Sequence, residues 1–180
     1  MYSQLSDARQ IRLLELLPAE TLEAPLECRL SPASLDANID FSAISYCWGD
    51  PTDTRDVLVD GRRHAVTVSL CGALRRLRRD RVSRTLWADA LCINQEDWKE
   101  RSKQVKMMGD LFSNASRVDI WLGEEDEWTA TAFSVLSAMA ADSSGTTLRD
   151  HQSGKQLSPS TIFESLVHLF SRAWFERQWV

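Results

Sequence analysis

LWADALCINQEDWKER, Leu86 to Arg101, changes character halfway along its length. An apolar run through Ile93 reads as the end of a core strand, RTLWADALCI, and empties into the amides and carboxylates of Asn94, Gln95, Glu96 and Asp97. From Asp97 to Ala115 the residues Trp98, Val105, Met108, Phe112 and Ala115 recur at helical spacing and predict one long amphipathic helix. In α/β sheets ligands sit beyond the carboxyl ends of the strands, where a strand turns into its helix. The polar corner is therefore either a helix cap or the floor of a site.

The chain on both sides supports such a sheet. FSAISYCWGD reads as a short buried strand ending in a turn at Gly49-Asp50-Pro51. VLVDGRRHAVTV is two β-branched runs around Asp60-Gly61, a two-residue hairpin signal. SLCGALRRLRRDR carries Leu70, Leu74 and Leu77 at helical spacing, with Ser69 placed as N-cap. RVDIWLG is a third core strand, and TATAFSVLSAMA and TIFESLVHLF read as helices. The opening IRLLELLPAETLEAPLECRL is split by Pro18 and Pro25 into two apolar segments, which predict edge strands. Alternating strands and helices give an α/β fold: a parallel sheet with flanking helices and an added β-hairpin. One domain is expected over residues 1–180, with a polar surface loop at about 141–160.

Composition narrows the function classes. The net charge of -5 disfavours a nucleic-acid binder. No apolar run is long enough to span a membrane, and the polar N-terminus does not read as a signal peptide, so a cytoplasmic location is expected. Cys28, Cys47, Cys71 and Cys92 lack CxxC spacing and read as reduced thiols. His64, His151 and His168 have no metal-ligand spacing, so no metal site is expected. No GxGxxG or GxSxG motif is present, against a dehydrogenase or an α/β-hydrolase.

ISYCWGD, LWADALCINQEDWKERSKQVKMMGDLFSNA, VDIWLG and the tail RAWFERQWV resemble the fungal heterokaryon incompatibility (HET) domain family, over nearly the whole chain. Ala88 stands where that family prefers a β-branched residue, and Leu111-Phe112 where an Ile-Tyr pair is common. Family members usually continue with Gln-Glu past the position of Val180, which implies a piece of a longer protein. The resemblance implies an effector of programmed cell death in fungal non-self recognition. It also implies a distant likeness to Toll/interleukin-receptor (TIR) domains and their flavodoxin-like sheet. Some TIR domains cleave NAD with a glutamate on the helix after a central strand.

On that analogy Glu100 is the candidate catalytic residue, with NAD or a related nucleotide as substrate and no permanently bound cofactor. Its carboxylate would stabilise an oxocarbenium ion, hold a ribose hydroxyl or attack the sugar. Asp97-Trp98-Lys99-Glu100 is equally a capping box, and Glu100 equally a partner for Lys103. Asp89, by strand alternation, shares a face with Leu91 and Ile93; it is a ligand contact or half of an ion pair, with Arg101 as partner. Asn94 and Gln95 suit ribose or amide recognition, or satisfy the loop. Tyr46, Trp48, Gly49 and Asp50 occupy the first ligand loop of a flavodoxin-like fold, where Trp48 would stack on a base, Gly49 admit the ligand and Asp50 bind ribose; a packed aromatic and a turn is the alternative. Cys92 reads as a structural thiol. The six arginines from Arg75 to Arg84 read as a solvated helix face, with binding of phosphates or of an acidic partner as the alternative. The alternative to an enzyme is an adaptor that signals by self-association, through Trp128 and the aromatic tail, or through a partner protein.

Overall fold

The computed structural model describes residues 2–141, 154 and 156–177. The chain divides into two compact units, Met1–Trp121 and Leu122–Val180.

The first unit is built on a seven-stranded sheet: β1 (Gln10–Leu16), β2 (Glu27–Ser34), β3 (Ser42–Tyr46), β4 (Thr54–Val59), β5 (Arg62–Thr67), β6 (Arg84–Trp87) and β7 (Arg117–Trp121). Their order across the sheet is β5-β4-β2-β1-β6-β3-β7. β6, β3 and β7 run parallel, as the α/β pattern requires. Helices α1 (Val68–Leu77), α2 (Asp89–Cys92), α3 (Trp98–Lys106) and α4 (Met108–Asn114) connect and flank them. The sheet as a whole is mixed, because β1 runs antiparallel to both β2 and β6. β4 and β5 form the expected hairpin. Its turn places Asp60 at φ 51° and Gly61 at φ 74°, the left-handed pair that this two-residue loop demands.

Four local expectations are corrected. The two opening segments are not edge strands: β1 is the middle strand of the seven. A strand covered on both faces needs apolar residues on both, and Ile11, Leu13, Leu14 and Leu16 supply them. β7 in turn closes the sheet at one edge, with Val118 and Ile120 exposed. β6 ends at Trp87, and Asp89–Cys92 turns into the short helix α2. Alternation therefore does not orient Asp89, Leu91 and Ile93; an apolar run this short serves a buried helical turn as well as a strand. The long helix is interrupted at Met107, and Trp98 (66% exposed) and Val105 (52%) lie outside the core, whereas Gln104 is buried. The Gln104 side chain explains this, since its amide donates to the β1 carbonyl of Gln10 at 2.8 Å.

Thr67, not Ser69, caps α1, with its Oγ1 accepting from the amide of Leu70. β5 runs straight into the helix, so its last residue is the one with extended backbone that a cap requires. Leu14, Leu70, Leu74, Leu86 and Leu91 are fully buried around the sheet. At about 1.5–3 kcal/mol apiece they outweigh any surface ion pair. Trp87 joins them, meeting Phe112 edge to face at 5.9 Å.

The second unit contains α5 (Thr129–Ala140) and α6 (Pro159–Phe170). Ser158 caps α6, and Pro159 occupies its first turn, where a missing amide proton costs nothing. Arg172, after α6, donates to the carbonyls of Leu122 and Glu124 and to Thr129 Oγ1, and pairs with Asp126 at 3.0 Å. Trp128 is half-buried and stacked on His168 (5.0 Å, 9° between planes), so it is not the exposed residue expected. The loop expected at about 141–160 and the last residues of the aromatic tail lie largely outside the described residues. Among the described residues no helix is long and apolar enough to cross a membrane.

Candidate functional site

The parallel pair β3–β6 determines what meets at the carboxyl ends. Ser42 pairs with Leu86 and Ala43 with Trp87, after which β6 stops while β3 continues to Tyr46. Ala88, still extended, opens α2, whose buried Leu91 and Cys92 hold the turn against the core. Asp89, the first residue of α2, is thereby carried beside the end of β3. Its Oδ2 accepts from Trp48 Nε1 at 3.0 Å, and its Oδ1 accepts from the amide of Ala90 at 2.8 Å. Tyr46 is 2% exposed. Burial first, and the nearby Asp89 carboxylate second, push its phenol well above its usual range. Gln95 closes the cluster from the other side, donating from Nε2 to the Asp89 carbonyl at 2.9 Å. Tyr46, Trp48, Asp89 and Gln95 are thus brought together.

Trp48 keeps 41% of its surface exposed while its indole N–H is fixed. A half-open aromatic face next to a carboxylate suits a flat heterocycle and the hydroxyls beside it. Gly49 follows at φ 73°, a backbone conformation that a side chain strains. Asp50 is engaged locally: its Oδ1 accepts from the amide and hydroxyl of Thr52 (2.8 and 2.6 Å). The Thr52 hydroxyl, more than the amide, holds the Asp50 carboxyl below its usual range.

Glu100 occupies a second cluster, reached through Asn94. Asp97 caps α3 by accepting from the amides of Lys99 and Glu100, as half of a capping box. The Glu100 carboxylate does not return the contact, nor does it pair with Lys103. Its Oε1 accepts from Arg12 Nη1 at 2.6 Å and from the Asn94 amide at 2.7 Å, and its Oε2 from Arg12 Nη2 at 3.0 Å. The side chain of Glu100 is 12% exposed and that of Arg12 is 2%. Arg12 also donates to the carbonyls of Cys92 and Ser3, and the Tyr2 ring lies over its guanidinium at 4.8 Å. Glu100 therefore ties the start of α3 to the central strand and fixes the amide of Asn94. Asn94 Oδ1 accepts from the amide of Glu96, which tightens the same turn.

Arg12 belongs to no motif or spacing in the sequence; its one signal is that a lone arginine inside an apolar strand needs a buried partner. The expected Asp89–Arg101 pair is not formed: Arg101 is exposed, and Asp89 takes contacts from Trp48, Ala90 and the Tyr46 phenol. The buried thiol of Cys92 is pushed up to about 12 by burial, which disfavours a nucleophile. The arginine run is partly structural: Arg78 is buried and donates to the carbonyls of Thr21, Leu22, Ala24 and Pro25. Among the described residues no three His, Cys, Asp or Glu side chains group to hold a metal ion.

Residues 41–180 match the sequence profile of the family described as heterokaryon incompatibility protein (HET). The chain is 40% identical over 133 residues to heterokaryon incompatibility protein 6, OR allele, of Neurospora crassa, a match covering 66% of this chain. The matched stretch makes up 20% of that relative. No solved structure matches the chain.

Proposed function

The chain belongs to the heterokaryon incompatibility (HET) family, and from that premise we propose that it is an incompatibility effector domain which triggers cell death by cleaving NAD or a related nucleotide. The Trp48–Asp89 hydrogen bond carries this reading. It joins the carboxyl ends of two adjacent parallel strands, the position where α/β sheets bind nucleotides. Trp48 stacks on the nicotinamide or base, Gly49 lets the backbone approach, and Asn94 and Gln95 contact the ribose or carboxamide. Asp89, half-buried beside the open Trp48 face, stabilises the oxocarbenium ion as the glycosidic bond breaks. Glu100, in a buried ion pair with Arg12, acts through Asn94 as a positioning residue, which moves the chemistry from the helix glutamate to the strand-end aspartate.

The test is nicotinamide release from NAD by purified protein, dilute and at high concentration, with Asp89→Asn and Glu100→Gln variants checked for folding by near-UV circular dichroism. Loss of roughly 100-fold or more in folded Asp89→Asn, with a smaller loss in Glu100→Gln, supports these roles. Expression in a fungal host, scored for growth arrest, tests the effector role itself.

A second reading, a non-enzymatic module that signals by self-association, draws on α6. Phe163, Val167 and Phe170 lie on one helical face and are all exposed. Concentration-dependent association without nicotinamide release at any concentration favours that reading.

A further inference from the structure

The opposite end of the parallel strands carries a different chemistry. A cavity of ≈ 330 Å³ opens where β3, β6 and β7 begin; one of ≈ 480 Å³ beside it runs between α1 and the length of β7, and both are lined by Arg84 and Arg117, the first residues of β6 and β7. Arg76 lines the larger and Arg79 the smaller. The carboxylates among the described residues lining the cavities are Asp119, which takes Arg84 at 2.7 Å and Arg117 Nε at 2.6 Å, and Asp40, whose Oδ1 accepts from Ser116 Oγ. Leaving Arg76 aside, the guanidinium groups of Arg79, Arg84 and Arg117 face the carboxylates of Asp40 and Asp119, a surplus of positive charge on a chain whose net charge is -5. Among the described residues the Arg79 guanidinium meets no carboxylate, and the Arg117 contact leaves its terminal nitrogens, the fork that grips an oxyanion, uncommitted. Arg84, 13% exposed, is held rigidly by Asp119, Ser42 Oγ and the Leu77 carbonyl.

We propose that this basin binds a multiply phosphorylated ligand, gripped by Arg79 and Arg117 over the fixed Arg84. The cavity that holds Arg79, Arg84 and Arg117 lies at the amino ends of strands whose carboxyl ends carry the Trp48–Asp89 site, so it is a separate site and does not depend on the nucleotide reading. The composition fits: planar guanidinium forks for the charge, with hydroxyls around them for the remaining oxygens. The chemistry is shared by a free polyphosphate and by a phosphoinositide headgroup, and the experiment distinguishes the two sources.

The whole chain is titrated with inorganic tripolyphosphate by calorimetry and thermal shift, and with vesicles carrying phosphatidylinositol bisphosphate by flotation. The variant R79Q/R117Q is compared with R29Q/R63Q, which loses the same charge from exposed positions on β2 and β5. Saturable binding that weakens with added salt, and falls about tenfold for each guanidinium removed from the basin, supports the proposal. Tripolyphosphate binding assigns a soluble ligand, and binding to the phosphoinositide vesicles alone assigns a headgroup. Absence of binding to both probes, or an equal loss in R29Q/R63Q, overturns it. Nicotinamide release plays no part in the readout, so failure of the nucleotide reading leaves this result interpretable.

Discussion

Removing Arg12 tests whether the buried pair with Glu100 holds the fold or serves chemistry. Arg12→Leu leaves the Glu100 carboxylate, 12% exposed, with one remaining donor, the Asn94 amide. Breaking a buried pair in this way costs about 3–5 kcal/mol, because the remaining charge is neither solvated nor compensated. For a chain of this size, at about 2–4 °C per kcal/mol, that lowers Tm by roughly 6–20 °C. Glu100→Leu strands the guanidinium instead, although the carbonyls of Cys92 and Ser3 still accept from it, so its cost falls at the lower end of the same range. The double variant orphans only the Asn94 amide and those two carbonyls, about 1–3 kcal/mol in all. It is therefore expected to be no less stable than either single variant, with a coupling of more than 2 kcal/mol. Urea unfolding of the four proteins closes the cycle. Single losses below 1 kcal/mol, or additivity within about 0.5 kcal/mol, would refute a mutually compensating pair and leave Glu100 free for another role.

Two further perturbations address the rest of the molecule. Burial pushes the thiols of Cys28 and Cys92 up to about 12, and Cys71 is also buried, so a thiol reagent at neutral pH should label Cys47 alone in the native state and all four after denaturation; native labelling of Cys92 would contradict its packing. Arg172→Ala should loosen the second unit by about 1–3 kcal/mol, read as faster amide exchange in α5 and α6, because it removes four contacts that join the end of α6 to the start of α5. The Asp126 carboxyl in that junction is held below its usual range, chiefly by the Thr129 hydroxyl. Its contribution is therefore complete above the ordinary carboxylate pKa and disappears as pH falls through the lowered one, and Asp126→Asn should flatten that acid limb.

What the sequence made legible was what neighbouring residues decide among themselves. Asp60-Gly61 forces its hairpin and Asp97 caps its helix whatever surrounds them. The end of β6 was not legible, because Ala-Leu-Cys buries equally well as strand or as helical turn, and only the pairing with β3 stops the ladder at Trp87. The interior place of β1 was hidden by two prolines that read as edge signals and in fact lie in the connection to β2. Of the candidate site, the strand ends carrying Tyr46, Trp48 and Asp89 could be anticipated from the α/β pattern. The partner of Glu100 could not, since 88 residues separate it from Arg12 and no spacing rule reaches that far.

That long separation also changes what the polar corner after β6 means. Glu100 is the residue of LWADALCINQEDWKER that most invites a catalytic reading; in the structure its carboxylate fastens α3 to β1 through Arg12, while Asp97 caps α3 as its position predicts. Fastening α3 fixes Asn94 through its amide, and the next residue, Gln95, grips the carbonyl of Asp89. The side chain this chain of contacts holds in place is the Asp89 carboxylate, against an indole that remains half open. If that ordering is correct, Glu100→Gln and Gln95→Ala should weaken nucleotide turnover mainly through KM, by about tenfold, because each misplaces a contact without removing the reacting group. Asp89→Asn should instead lower kcat with little change in KM. The opposite split, kcat lost in Glu100→Gln and only KM altered in Asp89→Asn, would return the chemistry to the helix.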